Sequence, residues 1–288
     1  METMEFGTVS MTQLVLMLVT AILGITLPLI TAIIWCRKKH EPFTTVLIGA
    51  ATFLLFAIVI EKPLQSLLIM PDSLGLPQHA ASNFINANPI LWSFVVGLFP
   101  GVFEETGRFV AFKTVLRKRK QSKTGITHGL GHGGFEAMFV LGITFIEYFV
   151  FGIMINQGTF YEQMIASVKD TLTPDMMKQI TAIIEAITTF SAGTAVLSLV
   201  ERVIAVLYHT GASILVFYAC KDKKKFWLYP LSIVIHTVID GFMGLQLAGV
   251  INVSSWILEV VFGVASLATF LGAYLLLYRK DKRAEQPA

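Results

Sequence analysis

Seven apolar stretches, each long enough to cross a bilayer as a helix, divide this chain of 288 residues. A helix rises ~1.5 Å per residue and needs about 20 apolar residues to span the hydrocarbon core. The stretches run over roughly 13–35, 43–60, 90–112, 131–155, 195–219, 227–249 and 255–278, each ending at a charged or polar boundary. The expected fold is therefore all-α: a polytopic membrane helical bundle of seven transmembrane helices. No internal repeat is visible, so residues 1–288 read as a single integral membrane domain. Composition agrees: 55% of the residues are apolar and 14% charged, against about 25% charged in a soluble domain. An ordinary soluble enzyme, a secreted disulfide scaffold and a disordered tail are all excluded.

The basic residues orient the bundle. Arg37, Lys38 and Lys39 follow the first stretch, and Lys113, Arg117, Lys118, Arg119, Lys120 and Lys123 follow the third. Lys221, Lys223, Lys224 and Lys225 follow the fifth, and Arg279, Lys280, Lys282 and Arg283 follow the seventh. Basic clusters in alternate connections mark the cytoplasmic side, which predicts the N-terminus outside and the C-terminus inside. Met1–Glu5 offers no basic n-region, so the first stretch reads as a retained helix rather than a signal peptide. Cys36 and Cys220 each adjoin a basic cluster, on the reducing side, where no structural bridge is expected. A net charge of +3 is too small to imply nucleic acid, and no nucleic-acid partner is expected.

Two connections on the outer side are long. Residues 61–89, with Pro63, Pro71, Gly75 and Pro77, read as an irregular, partly re-entrant loop. Thr173-Pro174 starts a helix over about 174–190, whose Met176, Ile180, Ile183, Ile184 and Ile187 share one face. It is expected to lie on the outer leaflet or to cap the bundle.

Ionisable groups inside the apolar stretches carry the functional reading, because each costs ~2.5–3.5 kcal/mol at a helix centre even on lenient insertion scales. The third stretch holds Glu104, Glu105 and Arg108, with Arg108 three and four residues from the carboxylates and able to reach either. The fourth opens His128-Gly-Leu-Gly-His132-Gly-Gly-Phe-Glu136, a four-residue stripe among glycines that permit close backbone approach. His128 falls near the cytoplasmic interface and is expected to be solvated; His132 and Glu136 lie deeper. The fifth stretch holds His209, with Glu201 and Arg202 as a charge-paired brace, and the sixth holds His236 and Asp240 on one face. Counted from the cytoplasmic ends, Glu104, Glu105, His209 and His236 fall ~12–17 Å deep, with Glu136 at ~8–11 Å and Asp240 at ~20 Å. The levels overlap, which implies one polar chamber between stretches three to six, reached from the cytoplasmic side.

Glutamates and histidines around a water compose a hydrolytic site, with a carboxylate as base and imidazoles as metal ligands or oxyanion donors. The sequence lacks H-E-x-x-H, lacks a G-x-S-x-G-like serine paired with a histidine, and has one in-span aspartate, Asp240. The site-two zinc type, the rhomboid-like serine type and the two-aspartate presenilin-like type of intramembrane protease are excluded on those grounds. The rival reading is a proton- or ion-coupled transporter, with Glu136, Glu147, Arg202 and Asp240 as a relay. Inverted repeats common in transporters are not found.

Glu104-Glu105-x-x-Arg108, His132-Gly-Gly-x-Glu136, His209 and His236-x-x-x-Asp240, in that order, resemble the YhfC-type family of intramembrane metalloproteases. That family is grouped with the type II CAAX prenyl endopeptidases, the bacteriocin-processing membrane proteases and the PrsW proteases. The resemblance covers about 90–245, the expected catalytic core. The relatives' first motif is usually E-E-x-x-x-R, one residue longer than here. Their F-x-x-x-H motif has no direct equivalent, since Phe135 is followed by Phe139. The role of its histidine falls to His132 or His209, with depth favouring His209. The resemblance implies hydrolysis of a peptide bond in a membrane-embedded or lipid-anchored substrate. It makes Glu104 or Glu105 the base, His209 and His236 ligands of a metal or donors to the oxyanion, and Arg108 the orienting group. Asp240 then holds His236 or ligates beside it, with zinc or another divalent metal as cofactor, or with no metal and the same residues. It also implies a bacterial plasma (inner) membrane.

Overall fold

A computed structural model describes residues 6–169 and 172–284, so Met1–Glu5 lies outside the described residues. Helix makes up 83% of the structure, with no strand among the described residues. The elements are α1 (Met11–Lys39), α2 (Thr44–Ile69), α3 (Ala80–Asn86), α4 (Pro89–Lys113), α5 (Lys123–Asn156), α6 (Pro174–Thr188), α7 (Ala192–Lys221) and α8 (Leu228–Leu247). The last helix, α9 (Ser255–Ala273), passes through a π turn at Tyr274–Tyr278 into Arg279–Ala284. Six helices are long and apolar enough to cross a membrane. The count becomes seven when α3 and α4, bent by 109° at their junction, are taken as one span. On its own α4 is diluted by Glu104, Glu105, Arg108 and Lys113, the residues that make it interesting.

The connection expected over 61–89 is shorter than the sequence implied. α2 widens into a π segment over Leu54–Glu61 and then continues as regular helix to Ile69, with Pro63 in its first regular turn, where a missing N–H costs little. Irregular chain begins only at Met70, in a 3₁₀ turn over Pro71–Leu74 closed by Gly75 at φ +70°. α4 starts where the sequence puts its third stretch, with Asn88 Oδ1 accepting from Leu91 N at 3.1 Å and Pro89 at the first position.

The described residues fall in two compact units, within Met1–Leu27 and Ala137–Arg202, and within Pro28–Glu136 and Val203–Ala288. In the first, Leu14 and Met17 of α1, Leu141 and Phe145 of α5, and Phe160 form a buried core. α6 lays Ile180, Ile184 and Ile187 on it, with Thr173 Oγ1 accepting from Met176 N. Glu201 and Arg202 make the expected ion pair here, while Glu147 faces outward.

The second unit contains every in-span residue singled out for the chamber. Its tightest packing joins α4 to α8: a Cβ on Gly97 would collide with the Thr237 carbonyl and the Gly241 amide, and one on Gly101 with Thr237 Oγ1. Small residues four apart let the two backbones close up without a lipid-excluding side chain between them. Pro100, inside α4, cannot supply an N–H to the Val96 carbonyl, and Gln65 Nε2 of α2 donates to that oxygen at 3.3 Å. Outward faces are apolar, with Val203, Val260 and Val264 each about two-thirds exposed, whereas Glu105 and Arg108 are fully buried. That inversion of the soluble pattern belongs to a chain solvated by lipid.

Candidate active site

Arg108 organises the centre. Glu104, Glu105 and Arg108 lie on the buried face of α4, and the guanidinium fans out from there. Nη1 donates to Glu105 Oε1, and Nη2 donates to His209 Nδ1 of α7 at 2.5 Å while lying 3.5 Å from Glu104 Oε2. A guanidinium has no acceptor, so His209 Nδ1 accepts and its ring proton sits on Nε2. That nitrogen meets Glu136 Oε2, a contact from the fourth stretch of the sequence.

The two glutamates differ in how they are held. Glu105 is fully buried: Oε1 takes Arg108 and lies 2.9 Å from His236 Nδ1, and Oε2 accepts from Ser232 Oγ at 2.6 Å. His236 turns its other nitrogen to Asp240 Oδ2 at 3.4 Å. Ser232, His236 and Asp240 are successive four-residue steps along one face of α8. Glu104 meets His132 Nε2 at 2.9 Å and His209 Nδ1 at 3.8 Å, all through Oε2. Its Oε1 takes no hydrogen bond among the described residues, and the side chain retains 8% exposure against none for Glu105.

The glycine run of α5 accounts for how His132 gets so close. Gly129 and Gly133 face α7, where a Cβ would press on the Thr210 and His209 backbone and side chain. Gly131 faces α2, where a Cβ would collide with the Val46 carbonyl. His128, expected in water, is instead fully buried, with Ser213 Oγ at 3.2 Å on Nδ1 and Thr52 Oγ1 at 3.3 Å on Nε2. Close packing of α2 and α7 on the glycines seals it from solvent.

All eight residues expected at the site (Glu104, Glu105, Arg108, His132, Glu136, His209, His236 and Asp240) are thus joined by contacts within one unit. Depth favoured His209 over His132, yet both reach Glu104. The expected ligand pair was His209 and His236, but the donors that gather are Glu104, His132 and His209, all buried and within 4.8 Å of one another. His236 stands instead between Glu105 and Asp240. One carboxylate and two imidazoles form a donor set suited to zinc, and Glu136 behind the far nitrogen of His209 supplies the carboxylate backing usual for a metal-bound histidine. The residues fit a divalent ion once Arg108 Nη2 yields the lone pair of His209 Nδ1.

Two contributors escaped sequence reading. Ser232 was legible, four residues before His236 on the same face. Tyr208 was masked by its apolar surroundings. Glu61, in the stretch whose sequence reads as a loop, ends the π segment of α2, fully buried with Lys62 Nζ at 3.2 Å.

Sequence comparison bears on the same residues. The model of the YhfC intramembrane metalloprotease family matches residues 22–262, most of the chain and the whole of this site. The chain belongs to that family. It is also 27% identical over 267 residues to the uncharacterized membrane protein YhfC of Bacillus subtilis strain 168, covering 91% of this chain and 96% of that protein. No solved structure matches the chain significantly.

Proposed function

We propose that this multi-span membrane protein hydrolyses a peptide bond in a membrane-embedded or lipid-anchored substrate, with Glu104 as the base that activates water. The observation that carries the choice is the asymmetry of the glutamate pair. Both Glu105 oxygens are committed, to Arg108, His236 and Ser232, so Glu105 is an anchor that fixes the guanidinium and His236. Glu104 keeps one oxygen unused and retains its small exposure.

Glu104 takes a proton from the water while the water oxygen bonds to the carbonyl carbon, and then passes that proton to the leaving nitrogen as the C–N bond breaks. His132 orients the carboxylate through Nε2, and the Arg108 guanidinium lies 3.5 Å from the same oxygen. His236, with both nitrogens on carboxylates, braces α8 against α4. Glu104, His132 and His209 would hold a divalent ion, which when bound polarises a carbonyl and acidifies water. The basic clusters support an N-terminus outside, a C-terminus in the cytoplasm and a cytoplasmic-side approach to the site. Family membership supports a bacterial plasma membrane as its setting.

The test uses purified protein in proteoliposomes with a membrane-anchored peptide reporter. Glu104→Gln is expected to lower the cleavage rate by ~10²–10⁴-fold, the usual worth of a general base. Glu105→Gln is expected to lose both rate and thermal stability, since it loosens Arg108 and His236 together. Cleavage unchanged in Glu104→Gln removes the proposal, and proton-coupled solute uptake by the same vesicles would favour a transporter.

A further inference from the structure

Tyr208 is the residue before His209 on α7, and its ring body is well explained. It packs with Ala212 and Ile239, bordered by Ile235, Phe262 and Ala265. Its ring stands edge-on to both His209 and His236, with centroids 5.1 Å from each. A phenylalanine would make every one of these contacts. The hydroxyl is what remains unexplained: the residue is 2% exposed, and the oxygen has no hydrogen-bond partner among the described residues. Buried tyrosine hydroxyls ordinarily find a partner, and leaving one unmet costs ~1–3 kcal/mol.

The other donors near the glutamates are occupied or badly placed. His236 spends one nitrogen on Glu105 and faces Asp240 with the other. His209 accepts at Nδ1 and faces Glu136 with Nε2, and His132 Nε2 is on Glu104. Besides Ser266 Oγ on α9 and His132 Nδ1, the far nitrogen of the ring that already serves Glu104, two donors lack a partner, Arg108 Nε and Thr237 Oγ1. The first belongs to a guanidinium pinned by Glu105 and His209, and the second is wedged against Gly101 in the α4–α8 contact. Among the described residues, Tyr208 is the one whose ring stands against both His209 and His236 and whose O–H is uncommitted.

We propose that the Tyr208 hydroxyl is the oxyanion donor of this site, binding the oxygen of the scissile carbonyl. The inference rests on the hydrolytic reading and deepens it. As the water oxygen bonds to the carbonyl carbon and its proton goes to Glu104, the carbonyl π pair moves onto oxygen. That oxyanion accepts from the Tyr208 O–H, which keeps its own proton. When the C–N bond breaks, the carbonyl re-forms, and the nitrogen takes the proton from Glu104. A donor aimed at charge that develops only during reaction lowers the barrier without tightening substrate binding.

The test is Tyr208→Phe beside Glu104→Gln, with kcat, KM and Tm measured on the same membrane-anchored reporter. Tyr208→Phe is expected to lower kcat by ~10²–10³-fold, as loss of one oxyanion donor does elsewhere. KM should stay within about twofold of wild type and Tm should not fall, because an unmet buried hydroxyl has been removed. A wild-type kcat in Tyr208→Phe, with cleavage abolished in Glu104→Gln, overturns the oxyanion role and leaves the hydrolytic reading standing. A fall in kcat matched by a lowered Tm makes Tyr208 a packing residue and overturns the role equally. Wild-type protein that leaves the reporter intact, or Glu104→Gln that cleaves it normally, overturns the hydrolytic reading and Tyr208 with it.

Discussion

Two adjacent glutamates with one arginine three and four residues on pose a problem of assignment that chemistry alone does not resolve, since either carboxylate can be neutralised and either left for proton transfer. Geometry separates them by what else arrives. Ser232 and His236 come to Glu105 from α8, whereas His132 and His209 come to Glu104 from α5 and α7. The same division predicts which residues govern metal affinity. Purified protein titrated with zinc by calorimetry is expected to bind one ion, and His132→Ala and His209→Ala are each expected to weaken binding at least ~10-fold, the lower range even for an outer-shell loss. His236→Ala should bind zinc nearly as wild type does, because His236 is not among the gathered donors. Equal loss in all three variants would contradict the division.

At the scale of the element, the bundle is built from pairs of small residues that let helices touch, and from polar side chains that repair what proline and glycine leave open. Pro100 and Gln65 form such a pair. Gln65→Leu should lower stability by ~1–2 kcal/mol in the Pro100 background, where the Val96 carbonyl is left unmet. In a Pro100→Ala background the restored N–H serves that carbonyl, so the same substitution should cost less. Thermal unfolding in detergent reads the cycle, and an equal cost in both backgrounds would show that Gln65 acts elsewhere. Much of this level was legible in the sequence. Periodic apolar runs gave the helices, Thr173-Pro174 marked the start of α6, and Gly129–Gly134 announced close approach. The helical Lys62–Ile69 was not legible, because Pro63 in a proline-rich stretch reads as a breaker unless the helix is known to be already running. The burial of His128 was not legible either. Counting residues from a helix end gives depth along the axis, not whether neighbouring helices close over the side.

For the whole molecule, lipid as solvent decides both fold and site. Apolar side chains cover the outside, so the polar residues of α4, α5, α7 and α8 can satisfy one another only inward, and four sequence-distant clusters become one network. The residue types and their order along the chain foretold that meeting, and family membership is consistent with it. Which imidazole meets which carboxylate could not be foretold, because rotation of one helix by a single residue, about 100°, exchanges the partners. The central claim, that Glu104 delivers a water to a peptide carbonyl inside this network, is tested most directly by single-turnover cleavage of the membrane-anchored reporter in H₂¹⁸O. Wild-type protein is expected to place one ¹⁸O atom in the new carboxyl terminus of the product, and Glu104→Gln to yield no labelled product on the same timescale. Labelled product from Glu104→Gln at the wild-type rate, or wild-type product without label, would contradict it.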